Sequence, residues 1–185
     1  MSIRSTYPAC AAIAAAALAM ALASPTVASG YAGSDDQGPT LRVSSQLRDL
    51  RPTIADPTDG ARSELRVTVD DASATFRLTL RGLDRAAAGH TFGAHLHLGT
   101  CVAGDGAAAL AHYNTDVIDG VTPVRTNPDT EVWLDFTVTD EGTALARATV
   151  SFAPAAGNHS IVIHRDATAS TGVAGPRLAC LPVAW

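Results

Sequence analysis

The chain has 185 residues, with 13 arginines, no lysine, 18 acids and three cysteines. That length suits one domain with a sizeable core and leaves too little for a second. With the N-terminal segment carrying Arg4 set aside, twelve arginines face eighteen acids, a net of −6 that argues against a nucleic-acid partner; the arginines are scattered along the sequence, and no basic patch is expected.

Residues 1–29 have the three parts of an export signal: a basic start at Arg4, an apolar run from Ala11 to Ala23, and small residues suited to cleavage after Ala23 or at Ala28/Ser29. The run is short for a membrane span and no second one follows it, so no stable membrane insertion is expected after cleavage. The expected destination is the periplasm, the cell envelope or the medium. Cys10 precedes the apolar run and is expected to leave with the signal. Residues 30–40 are polar and turn-rich and read as a flexible leader; the folded domain is expected over 41–185.

Beyond the leader, short runs alternate apolar and polar residues with period two: Glu64 to Val69, Ala74 to Leu80, Glu131 to Thr139, Ala146 to Phe152 and Ser160 to His164. Such runs are strands with one buried face. Turn formers separate them, at Asp70-Asp71, Asp140-Glu141-Gly142 and Pro154 to Asn158. No helical period is sustained. The expected fold is all-β: a Greek-key sandwich or flattened barrel of about eight antiparallel strands. Residues 99–130 and 165–177 lack alternation and are rich in Gly, Asp, Thr and Pro, so they are expected as two long functional loops.

After export the chain keeps two cysteines, Cys101 and Cys180, which in an oxidising compartment read as a disulfide. His95 and His97 are two apart in a strand and therefore project from one face as a pair of imidazoles, while Leu96 turns to the core. His112 follows in a loop and His164 ends a strand, sharing its face with Val162 and Ser160. Four imidazoles without thiolate suit Cu(II), although zinc also accepts them. His90 and His159 sit in turn contexts and are expected to be exposed.

The segments GAHLHLGTC, AHYN, SIVIH and TGVAGPRLAC, in this order, resemble landmark segments of the copper/zinc superoxide dismutase family, over about Leu41 to the C-terminus. The resemblance implies that His95, His97 and His164 ligate copper and that His112 occupies the place of the histidine bridging copper and zinc. It implies that Arg177 is the cation beside the metal, and it gives Cys101 and Cys180 the place of the family's disulfide. Between His112 and Glu131 no further histidine is found, and the loop from His164 to Arg177 is short, with Asp166 its only acid. Zinc is therefore expected to be absent and copper to bind once per chain, as in the family's copper-only branch.

Without zinc, the second nitrogen of His112 needs an acceptor, and Glu131 is the candidate; Asp116, Asp119 and Asp129 read as solvated loop residues. The implied activity is dismutation of superoxide, with Arg177 and His112 acting on the substrate. The alternative is a copper buffering or delivery protein of the same fold, and a third reading is a metal-free scaffold.

Overall fold

The structure is a computed structural model that describes residues 30–31 and 38–185; segment 1–29, expected as an export signal, lies outside them. Its strands are β1 (Gly30–Tyr31), β2 (Thr40–Gln46), β3 (Arg48–Asp49), β4 (Arg62–Asp70), β5 (Ser73–Arg81), β6 (Thr91–His97), β7 (Phe136–Thr137), β8 (Thr143–Val150), β9 (Asn158–His164) and β10 (Arg177–Ala184). They form two antiparallel sheets in the orders β1-β2-β4-β5-β8 and β3-β10-β9-β6-β7. The fold is all-β and sandwich-like. Seven strands are long; β1, β3 and β7 are two-residue additions at sheet edges. Residues 30 and 31 pair with β2. Among the described residues no helix is long and apolar enough to cross a membrane.

The first sheet keeps strict alternation. Leu41 and Val43 of β2, Leu65 and Val67 of β4, Phe76, Leu78 and Leu80 of β5, and Ala144, Ala146 and Val150 of β8 are buried, and their neighbours point outward. Opposite them, Phe92, Ala94 and Leu96 of β6, Ile161 and Ile163 of β9, and Leu181 and Val183 of β10 complete the core. Strands β6 and β9 are buried on nearly every residue. One of their faces meets the core; the other is covered by the two long loops, and His95, His97, Val162 and His164 point into that second layer.

Register changes the reading of the arginines. Arg42 of β2 pairs with Arg66 of β4, Arg66 with Arg77 of β5, and Arg77 with Arg147 of β8, so four strands bring four arginines into one row. Arg62 faces Arg81 further along. Positions scattered in sequence are therefore gathered on one outer face, and the chain does carry a basic patch.

The run from Glu131 to Thr139 is regular strand only at Phe136–Thr137. Its earlier half follows β6 through Leu96 N–H to Val132 O and Leu134 N–H to Ala94 O, but Leu96 O accepts from Tyr113 N–H. The edge of β6 is shared between two loop segments, which interrupts the ladder. The loop 99–130 holds a short helix, α1 (Thr115–Ile118), N-capped by Asn114, whose side chain accepts from Val117 N–H.

Candidate metal centre

Two strands and two loops meet over the outer face of the second sheet. Alternation on β6 aims His95 and His97 away from the core, β9 supplies His164, and the loop brings His112 to bridge His97 through its backbone. One nitrogen from each ring lies within 4.8 Å of the others, so this group of four histidines can hold a metal ion. His95 and His97 have no solvent exposure, and the His112 side chain, 19 % exposed, is the most open of the four.

The hydrogen-bond partners decide which nitrogen of each ring is bare. Backbone carbonyls accept only, so His97 Nδ1, 3.1 Å from Leu110 O, and His164 Nδ1, 3.0 Å from Gly175 O, carry protons. His112 Nδ1 donates to Glu131 Oε2 at 2.9 Å. The Thr168 hydroxyl donates to Asp135 Oδ1 at 2.6 Å and so accepts from His95 Nε2–H at 2.7 Å. What remains is His95 Nδ1 with Nε2 of His97 and His164, all three without protons, and Nε2 of His112 facing them. His95 Nδ1 is buried without any partner, and the bare Nε2 atoms of His97 and His164 face each other at 3.3 Å. Lone pairs converging without a donor repel one another and leave a buried acceptor unsatisfied, a cost that a cation between them removes. The donor set therefore fits a metal.

At His95, His97 and His164 the electrostatics agree with neutral rings. Burial first, then the neighbouring histidines, lowers His95 to about 2. Burial and the repulsion of His112 lower His97 to about 2, against the opposing bond to Leu110. Burial brings His164 to about 4. Glu131 is buried, which raises its pKa, but donation from His112, Asn114 Nδ2 at 2.9 Å and Trp133 Nε1 at 2.9 Å outweighs burial and holds it below the ordinary range. Arg177 is tied by its guanidinium to the carbonyls of Gly106 and Leu110, the latter also accepting from His97. Its charge is among the causes that depress His97 and His164.

Cys101 and Cys180 form a disulfide with Cα atoms 5.6 Å apart, pinning the first loop to β10. The bridge packs with Leu50, Ala109 and Val162 in a small second cluster beneath that loop. The second loop lies close on β6 because Gly93 has no side chain. A Cβ there would meet Ala174 Cβ at 2.7 Å and Thr168 Oγ1 at 2.9 Å, displacing the hydroxyl that orients His95.

Two expectations need correction. Asp116 is not solvated: it is 3 % exposed and bound by Arg125 at 2.7 and 2.8 Å, and these bonds hold its carboxyl down at about 2. His159 is not exposed either. It is buried against Tyr113 and Trp185, with Nε2 2.9 Å from Ala155 O, because β9 extends back to Asn158. His90, Asp119 and Asp129 are exposed. Sequence reasoning missed Thr168, Asp135, Asn114 and Trp133. Glu131, Trp133 and Asp135 do alternate at period two, so one face of that run carries all three polar groups; nothing local marks Thr168.

No protein-family model matches the chain, and no curated protein matches its sequence, so the functional reading rests on this geometry.

Proposed function

We propose that the chain is an exported copper-dependent superoxide dismutase with one metal per chain. The observation that carries this reading is the set of four converging ring nitrogens, three of them on buried rings, with the opposite nitrogen of each ring committed to a fixed acceptor. An all-nitrogen set favours copper among divalent ions. His95, His97, His112 and His164 would hold it. The direct bond from His112 to Glu131 supports a single metal, since that nitrogen is already committed to a carboxylate. The disulfide is compatible with an exported protein.

When bound, copper supplies one-electron chemistry, alternating between Cu(II) and Cu(I) so that one superoxide is oxidised to oxygen and another, with two protons, is reduced to hydrogen peroxide. The chain's own groups set the conditions. Glu131 keeps the proton of His112 on Nδ1, and Thr168 with Asp135 does the same for His95 Nε2. Arg177, held by two loop carbonyls, is a fixed cation beside the histidines that attracts a small anion which the chain's negative overall charge repels. The partly exposed edge of His112 is the open side of the site.

The test is metal analysis and electron paramagnetic resonance of the copper-loaded protein, with superoxide consumption measured in parallel. One Cu(II) per chain with nitrogen splitting, and turnover without added zinc, is the expected result. Stoichiometric zinc overturns the single-metal reading; bound copper without turnover leaves the copper-binding alternative.

A further inference from the structure

The basic face of the first sheet lies on the opposite side of the sandwich from the histidines. Across β2, β4, β5 and β8 the outward residues form rows: Thr40, Thr68, Thr75 and Thr149; then Arg42, Arg66, Arg77 and Arg147; and, two positions on, Glu64 and Thr79 between Ser44 and Leu145. Arg62 and Arg81 complete six arginines, against two acids on the same face, Glu64 and, at the far end of β4, Asp70, a local net of +4 on a chain of −5. Ion pairs among the described residues involve His112, Arg125 and Arg165, and none of these six. Arg66, Arg77 and Arg81 line a shallow cleft of about 320 Å³ with Glu64 and Thr79.

Like charges directly opposite across strands destabilise a sheet, so three successive Arg–Arg pairs are a cost that packing does not explain. Substrate steering does not explain them either, because a positive field on the far side draws a small anion away from the histidines. The arginine row spans about 14 Å and the second pair lies about 13 Å along the strands, by ordinary strand spacing. A single linear polyanion cannot follow both lines, whereas a plane of anionic groups meets all six. The face carries no aromatic ring on which bases stack and no protruding helix to enter a groove, which disfavours nucleic acid.

We propose that this face docks, without insertion, on an anionic lipid surface, turning the histidine group toward solvent. Guanidinium and phosphate are matched in charge and in bidentate geometry, and the concentration of acids over the rest of the chain orients the molecule. The inference is independent of what the histidines bind.

The experiment is co-sedimentation of the full chain with vesicles of equimolar phosphatidylcholine and phosphatidylglycerol, and with phosphatidylcholine alone. Wild type is compared with Arg66→Gln/Arg77→Gln, so that the apolar N-terminal run contributes equally to both. The expected result is binding to the anionic vesicles that falls about twenty-five-fold in the double variant, about fivefold per arginine, and weakens with salt. The melting temperature of the variant should hold or rise, since a repulsive pair is removed. Equal binding of wild type and variant overturns the proposal, as does arginine-dependent capture by duplex DNA stronger than by the anionic vesicles.

Discussion

Lowering the pH of the metal-free protein is expected to unfold it well before ordinary acid denaturation. In the fold, His95 and His97 are brought to about 2 and His164 to about 4, chiefly by burial; in the unfolded chain each titrates near about 6.5. The unfolded state therefore binds more protons below that value, and stability is lost as pH falls from about 6.5 toward the folded values. At pH 5, about one and a half units below 6.5, each neutral ring costs about 2 kcal/mol at about 1.36 kcal/mol per unit. The three together cost about 6 kcal/mol. That is comparable to the whole stability of many domains. Glu131, with its pKa lowered in the fold, adds loss in the same direction at lower pH. Urea denaturation of the metal-free protein at pH 7.5, 6.5 and 5 measures this directly. A loss below about 2 kcal/mol between pH 7.5 and 5 refutes the reasoning, because the rings would then be titrating in the fold.

Replacing Glu131 with Gln removes the carboxylate that orients His112, and copper affinity, measured by chelator competition, is expected to fall about 10- to 100-fold. In Thr168→Val the buried His95 Nε2–H loses its acceptor, at a cost of about 1–3 kcal/mol in denaturant unfolding. Breaking the Cys101–Cys180 bridge, which spans 79 residues, should lower stability by about 4.5 kcal/mol by the chain-entropy relation; calorimetry of Cys180→Ser in parallel with the reduced wild type checks it. Finally, Arg177→Ala should retain copper but lower the rate of superoxide consumption and its dependence on salt, and unchanged kinetics would remove Arg177 from the proposed function.

The sequence by itself determined what depends on neighbours in the chain. Period-two alternation placed β4, β5, β8 and β9 and put His95 and His97 on one face, because residues two apart in a strand share a side whatever the tertiary fold. Period two also joined Glu131, Trp133 and Asp135, although it did not reveal that the run would pair irregularly. Only the tertiary structure decided what depends on register and loop packing. Thr168 reaches His95 across 73 positions because Gly93 lets a loop lie on β6. Asp116 is buried because Arg125 closes on it, and His159 because β9 begins earlier than its alternation showed. The arginines show the difference most plainly. Each is an unremarkable outward residue of its own strand, and the pairing of β2, β4, β5 and β8 sets four of them side by side. Alternation fixes which face a side chain takes; register fixes its neighbours, and no local pattern encodes register between strands far apart in sequence.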